Sequence, residues 1–149
     1  MLNVIDVSKY IINRSYAIGK PISNLKLQKL LYFVQAKFLL DTDGKLACFS
    51  NDIEAWGFGP VVPVAYHYFK VYGSNNIPPY DDCTDSYFNA HDKILINEVI
   101  DTYKDYSAVA LVNLTHKQDP WIWASESQKA GYSNIIHKDH IFQFFRGKM

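Results

Sequence analysis

Apolar residues recur at helical spacing at the start of the chain. Val4, Val7 and Ile11 lie three and four positions apart, on one face of a helix. This spacing predicts a short amphipathic helix over residues 3–14, which the sequence GKP at 19–21 then breaks.

A second, longer helix is predicted to lie at the centre of the fold. Ser23 or Asn24 can cap it by accepting a backbone N–H. Its main apolar stripe comprises Leu27, Leu30, Leu31, Val34 and Phe38. Further apolar residues lie outside that stripe: Leu25, Tyr32, Phe33, Leu39 and Leu40. Because only one narrow face stays polar, we expect neighbours on almost every side of this helix.

A short extended segment follows the second helix. The turn sequence DTDG at 41–44 ends the helix, and the partly alternating residues 46–56 predict a strand or a small hairpin. Gly57 and Gly59 allow backbone angles that are closed to other residues, and Pro60 is not expected to continue a sheet ladder.

A third helix is predicted over residues 63–72. Pro63 suits the first helical position, where its missing N–H costs nothing, and Gly73 suits the helix end. Residues 73–91 contain Asn-Asn, Pro-Pro and Asp-Asp pairs, which indicate a long surface loop. Tyr87 and Phe88 are expected to fix this loop to the core.

The rest of the chain is also predicted to be mainly helical. Helices are indicated over residues 92–103, from a Ser107 cap to about His116, and over residues 135–145. Asp119-Pro120 ends the middle one, because a residue before proline is pushed out of the helical region. The residues predicted to face inward from the first and last of these helices are Ile94, Ile96, Val99, Ile100, Tyr103, Ile136, Ile141, Phe144 and Phe145.

Together these elements predict one compact domain over residues 1–149. Its class is mainly α, with a minor β-strand pair or hairpin between the second and third helices. A chain of 149 residues encloses a single substantial core.

Composition narrows the expected partners and the expected location. The 15 basic and 15 acidic residues balance, so no direct nucleic-acid partner is expected. No apolar run approaches the roughly 20 residues of a membrane span, and Asp6 interrupts a signal-peptide pattern. We therefore expect a cytoplasmic protein with no membrane partner. Cys48 and Cys83 lack the number and spacing of a disulfide framework or a zinc site, so both are expected to be free thiols.

The sequence shows no pattern typical of a catalytic site. A nucleophile requires Ser or Cys beside a base, but neither cysteine has a local partner, and Ser107 and Ser125 lack a nucleophile elbow. The segment GFGP lacks the further glycine and the lysine of a phosphate loop. We expect no enzyme activity, no catalytic residues and no cofactor.

A metal site is the alternative to this expectation. His137 and His140 lie three positions apart, and His116 or His91 could join them from elsewhere in the chain. Such a spacing arises often by chance. We therefore predict no metal, and keep a metal-dependent enzyme built on His116, His137 and His140 as the alternative.

The segment LTHKQDPW at residues 114–121 has two interpretations. His116 ends a helix, where its imidazole can bond free backbone carbonyls, and Trp121 can bury a large apolar area. A structural corner is the simpler interpretation. The alternative is a surface that also touches a partner.

The third helix carries several aromatic residues: Tyr66, Tyr68, Phe69 and Tyr72. Successive helical residues differ by about 100° in direction, so some of these side chains must lie near the surface. Exposed Tyr and Trp suit protein contacts. These four residues, with Val64 and Trp123, are the predicted partner-binding residues. Loose packing under the loop at 73–91 is the alternative explanation.

Three segments in series resemble the Panacea domain, the family of SocA-like and GepA-like phage-associated antitoxins. They are ISNLKLQKLLYFVQA at 22–36, IEAWGFGPVVPVAYHYFKVYG at 53–73 and YSAVALVNLTHKQDPWIWA at 106–124. The resemblance extends from about Val4 to Phe145. The matching positions are Leu27, Lys29, Leu30, Leu31, Tyr32, Trp56, Gly59, Pro60, Tyr66, Phe69, Thr115, His116, Pro120 and Trp121. We interpret these residues mainly as a shared scaffold.

The resemblance implies an antitoxin of a bacterial or prophage toxin–antitoxin system, which neutralises a cognate toxin by direct protein–protein binding. Some relatives look like adaptors that deliver the toxin to a protease, so a protease is a further partner to consider. The position after Pro63, often acidic in the family, is Val64 here, which adds apolar surface at a helix start. The alternative function is a phage or mobile-element protein that binds and inhibits a host or defence protein.

Overall fold

Seven α-helices and a small antiparallel sheet are present in the computed structural model, which describes residues 1–83 and 85–148. The helices are α1 (Val4–Ala17), α2 (Asn24–Asp41), α3 (Pro63–Phe69), α4 (Ala90–Tyr103), α5 (Ala108–His116), α6 (Asp119–Lys129) and α7 (Lys138–Arg146). The strands are β1 (Ile53–Trp56), β2 (Gly59–Val61) and β3 (Ile135–Ile136), and 3-10 turns span Lys70–Tyr72 and Asp85–Tyr87. This confirms the mainly α class with a minor strand pair between the second and third helices. No helix within the described ranges is long and apolar enough to cross a membrane.

Helix α2 is the central element, as its sequence predicts. Leu27, Leu31, Tyr32 and Val34 are completely buried. The helix contacts α1, α3, α4, α5, α7 and β2. Each large apolar side chain that it buries contributes roughly 1.5–3 kcal/mol to folding, so α2 is the main source of hydrophobic stabilisation.

Polar residues cap the helices at the positions that the sequence indicates. The Ser23 hydroxyl accepts from the Lys26 N–H at 3.3 Å, and the Ser107 hydroxyl accepts from the Ala110 N–H at 3.0 Å. The side chain of Asn89 likewise caps α4, which therefore begins two residues before the predicted start at residue 92.

The hairpin differs from the prediction at Pro60, which lies inside β2. The sheet order is β2-β1-β3, so β2 is an edge strand, where a missing N–H is tolerated. The expectation that Pro60 cannot continue the ladder is therefore wrong. The predicted helix start at Ile135 is also wrong, because Ile135 and Ile136 pair with β1. Their β-branched side chains suit a strand, and α7 begins only at Lys138.

Residues 73–83 and 85–89 belong to the connection between the first 3-10 turn (Lys70–Tyr72) and α4. Phe88 is buried, as predicted, and its ring centre lies 5.0 Å from that of Tyr10. Tyr87 is exposed, so its predicted role in fixing the loop is wrong. Ile77 takes that role: it is buried, and its N–H donates to the Ile22 carbonyl at 2.8 Å. Thr84, which the predicted loop includes, lies outside the described residues.

Two predicted inward-facing residues are placed differently. Ile94 is exposed on α4, and Leu95 is buried instead. On α7, Phe142 rather than Phe144 packs against the core together with Phe145. The rest of each predicted stripe is confirmed, since Ile96, Val99 and Ile100 on α4 and Ile141 on α7 are buried.

Helix α6 differs from the prediction, which has Asp119-Pro120 only as the end of α5. In the structure Pro120 lies in the first turn of α6, where proline is tolerated because the first N–H groups have no helical partner.

The completely buried amide of Gln35 fastens the segment before β1 to α2. Its Nε2 donates to the Phe49 carbonyl at 2.9 Å, and its Oε1 accepts from the N–H groups of Cys48 and Phe49 at 2.8 and 3.2 Å. These three bonds replace the strand ladder that this buried segment lacks.

We expect Gln35→Leu to lower the free energy of unfolding by about 3 kcal/mol, because it leaves three buried backbone groups without partners. Chemical denaturation followed by circular dichroism measures the change. Gln143→Leu, the same substitution at an exposed position, is expected to change stability by less than about 0.5 kcal/mol. Equal effects of the two substitutions would contradict this role of Gln35.

Candidate binding surface around the hairpin

Three side chains from three different helices hold the β1–β2 hairpin by its backbone carbonyls. Lys29 of α2 donates from Nζ to the Pro60 carbonyl at 3.1 Å. Trp121 of α6 donates from Nε1 to the Trp56 carbonyl at 2.9 Å. The third side chain is that of His116, at the end of α5. The three donors fix a short hairpin that would be marginal by itself.

His116 provides the third bond. Its Nε2 lies 2.9 Å from the Gly57 carbonyl, which can only accept, so Nε2 carries the proton. Its ring also lies against the indole of Trp121, with ring centres 4.2 Å apart. The predicted bond from His116 to the end of its own helix is therefore wrong, since the acceptor belongs to the hairpin. The segment LTHKQDPW does form a structural corner.

Lys29 is completely buried, and burial lowers the pKa of its ammonium group to about 7. It makes no ion pair with any residue that the structure describes. The Pro60 carbonyl is the acceptor for its amine. A buried lysine without a carboxylate is costly in its charged form, so its long side chain serves mainly to fill space and to hold the hairpin.

Gly59 makes room for that side chain. Its φ is +104°, and a Cβ added there would lie 2.7 Å from Lys29 Cε and 2.9 Å from Thr115 Oγ1. Both neighbours are completely buried, so neither can move aside easily. Only glycine fits at this position.

Most of the other family-matched residues also lie in the interior, whereas Trp56 and Tyr66 are half-buried. Leu27, Leu30, Leu31 and Pro120 are buried. Tyr32 is buried as well, and its hydroxyl donates to Gln118 Oε1 at 2.9 Å. The structure thus brings the three sequence motifs together around the hairpin, where they act as a scaffold.

Helix α3 starts directly after the hairpin and presents different faces to the core and to solvent. Phe69 is completely buried, so its prediction as a partner-binding residue is wrong. Tyr72 is half-buried, and its hydroxyl lies 3.0 Å from that of Tyr80. The opposite side of the helix carries Val64 and Tyr68, which are 52% and 47% exposed.

Val71 in the following 3-10 turn continues this exposed side and is 81% exposed. We call Val64, Tyr68 and Val71 the outer face of α3. Their spacing of four and three residues places them on one side. Trp123, also 46% exposed, lies elsewhere, on α6 against the ring of His140 at 5.0 Å.

A groove of about 400 Å³ lies between the start of α2, the hairpin and the end of α3. Its lining is mainly apolar and includes Leu25, Trp56, Phe58, Val61, Tyr66 and Lys70. Of these lining residues, only Tyr66 is among the predicted partner-binding residues. Phe58 was missed, although an aromatic residue between two glycines is a signal for an exposed ring at a turn, and it is 71% exposed.

The histidines do not form the metal site considered above. The rings of His137 and His140 lie 5.5 Å apart, but His116 is bound to the hairpin. His91 lies 3.0 Å from the Asp41 carboxylate. Within residues 1–83 and 85–148, no three His, Cys, Asp or Glu side chains are grouped to hold a metal ion. Both cysteines are free thiols, as predicted.

Comparisons with known proteins give two matches. The family model "Antitoxin SocA-like, Panacea domain" matches residues 27–122. Antitoxin SocA of Caulobacter vibrioides (strain NA1000 / CB15N) is 44% identical over 71 residues, which are 48% of this chain and 37% of that protein. The matched region thus spans little more than a third of that relative. No solved structure matches the chain.

We expect Gly59→Ala to lower the free energy of unfolding by at least about 2 kcal/mol, because the new methyl group meets Lys29 and Thr115 in a backbone conformation unfavourable to alanine. Gly57→Ala is the matched control, since a Cβ at Gly57 meets nothing within 4 Å. Thermal unfolding of the two variants measures the difference. A comparable loss in both would contradict the close packing at Gly59.

Stability is expected to rise with pH above 7 because of Lys29. The unfolded chain keeps the ordinary lysine pKa of 10.5, whereas burial lowers the folded pKa to about 7. Between these values the unfolded state binds a proton that the folded state has lost, so raising the pH favours folding. From pH 7 to about pH 8.5, the Lys29 contribution amounts to roughly 1.5 kcal/mol.

Urea denaturation of the protein and of Lys29→Met over that pH range tests this expectation. Methionine fills a similar space without a titrating group, so the difference between the two proteins isolates Lys29. An equal pH dependence in both proteins would show that Lys29 does not titrate in this range.

Proposed function

Because the chain belongs to the Antitoxin SocA-like, Panacea domain family, we propose that it is an antitoxin that neutralises a cognate toxin by direct protein–protein binding. This proposal rests on the exposure of the apolar residues on the outer face of α3. Two valines and a tyrosine are exposed there, at a spacing of four and three residues. Contiguous exposed apolar side chains are typical of protein interaction sites.

The outer face is held in a fixed position before any partner binds. The core-facing residues of α3, Ala65 and Phe69, are completely buried. Asn24 Nδ2 donates to the Tyr66 carbonyl at 3.1 Å, and Gln28 Oε1 accepts from the Val62 N–H at 3.0 Å. A rigid surface loses little conformational entropy on binding, so more of the contact energy becomes affinity.

We further propose that the protein acts by binding and not by catalysis. The polar groups of the family motifs are engaged within the scaffold: Lys29, Tyr32 and Trp121 all donate hydrogen bonds to other parts of this chain. Groups already bound in this way are poorly placed to act on a substrate.

Neutralisation by occlusion is the simplest mechanism for such a surface, and we place it in the cytoplasm. Delivery of the bound toxin to a protease is the second possible mechanism. The two differ in one observable: occlusion keeps the toxin at constant level in an inactive complex, whereas delivery makes its level fall.

Co-expression with the gene adjacent to its own tests the proposal. We expect the neighbouring product to arrest bacterial growth, and this protein to restore growth and to co-purify with it. Immunoblotting of the toxin then separates occlusion from delivery. A harmless neighbour that forms no complex would contradict the antitoxin role and favour a host or defence protein as the target.

Val64→Asp is expected to weaken toxin binding at least tenfold, because it places a charge in the apolar outer face. The same substitution should leave stability unchanged or slightly higher, since an acidic residue in the first turn of a helix is favourable. Tyr68→Ala is also expected to weaken toxin binding. Isothermal titration calorimetry measures affinity, and thermal unfolding measures stability.

Tyr132→Ala provides the control, because Tyr132 is 76% exposed and lies outside α3. It is expected to leave affinity unchanged. Unchanged affinity in Val64→Asp and Tyr68→Ala as well would exclude the outer face of α3 as the binding surface.

A further inference from the structure

We propose that the groove between α2, the hairpin and α3 binds an extended segment of a partner protein that presents a large apolar side chain next to an Asp or Glu. This inference rests on the proposed function, because the partner in view is the toxin. It assigns to the groove a ligand chemistry separate from the outer face of α3.

The apolar part of the ligand follows from the lining of the groove. Three of its polar side chains are already engaged within the chain. Asn24 Oδ1 accepts from Gln28 Nε2 at 2.9 Å, and Asn24 Nδ2 donates to the Tyr66 carbonyl. The indole N–H of Trp56 donates to Glu54 at 2.9 Å. With these groups occupied, the walls offer mainly apolar and aromatic surface, which favours an apolar ligand group.

The openness of the groove favours a side chain of a larger ligand over a free small molecule. Its volume of about 400 Å³ lies within the roughly 300–1,000 Å³ of small-molecule sites, so volume does not separate the two kinds of ligand. Small-molecule sites enclose most of their ligand, whereas this groove is partly open to solvent. It can therefore cover one large side chain while the segment that carries it stays outside.

The acidic neighbour follows from Lys70. It is the only formally charged residue among those lining the groove, and it makes no ion pair with any residue in the described part of the chain. Its side chain is exposed, so it can reach a carboxylate beside the groove. A basic side chain beside Lys70 would be repelled, so Lys70 favours an acidic residue at its end of the groove.

Selection from a phage-displayed library of random dodecapeptides on the immobilised 149-residue protein tests this inference. We expect the wild type to enrich peptides with an aromatic or large aliphatic residue next to Asp or Glu. Lys70→Glu should replace the acidic residue in the consensus by Lys or Arg. Lys45→Glu, the same charge reversal at an exposed lysine outside the groove, should select the same peptides as the wild type.

Phe58→Ala tests the apolar wall. The ring is exposed in the free protein, so its removal should leave the fold intact. A selected peptide should bind this variant about tenfold more weakly in fluorescence anisotropy. Enrichment of no consensus, a consensus without an acidic residue, or an acidic consensus retained by Lys70→Glu would overturn the inference.

The outcome is separable from that of the antitoxin proposal. If Lys70→Glu and Phe58→Ala neutralise and bind the toxin as the wild type does, the groove inference fails and the antitoxin role stands. If the groove selects the expected peptides but the neighbouring gene product is not neutralised, the groove chemistry stands and the antitoxin role fails.

Discussion

The burial of Lys29 is the constraint on which the arrangement of the hairpin depends. An amine in the interior requires a hydrogen-bond acceptor and a path for its long side chain. The Pro60 carbonyl is the acceptor, and the missing side chain of Gly59 leaves the path. The two residues that meet these requirements, Gly59 and Pro60, are neighbours in the chain. Lys29, Gly59 and Pro60 therefore form one unit. The charged form of the buried Lys29 lowers stability near neutral pH. The hydrogen bond from Lys29 to Pro60 attaches α2 to the edge strand β2.

The position of that edge determines the position of the exposed surfaces. Because β2 ends at Val61 and α3 begins at Pro63, only one residue separates the fixed hairpin from the helix that carries the outer face. The groove is lined by the two elements that this connection joins, with Phe58 at the hairpin tip and Lys70 directly after α3. The interior therefore positions the surface through the backbone, and few exposed residues are needed to shape it.

The sequence predicted those features that depend on local patterns. Helix α2, the Ser107 cap and the Pro63 start of α3 are recognisable because apolar spacing and capping chemistry involve residues close together in the chain. The strand role of Ile135 was not recognisable, since it depends on pairing with β1, far away in the sequence. The family resemblance likewise identified Lys29 and Gly59 as matching positions, but their contact became evident only in three dimensions.

The division between interior and surface also bears on how partner choice can vary in this family. Residues such as Lys29 and Thr115 are completely buried and cannot touch a partner, so they cannot distinguish one partner from another. If the protein binds as proposed, discrimination depends on exposed positions such as Val64, Phe58 and Lys70. Substitutions at these positions remove little buried area, so their cost in stability is small. A scaffold of this kind allows the binding chemistry to change while the buried unit around the hairpin remains the same.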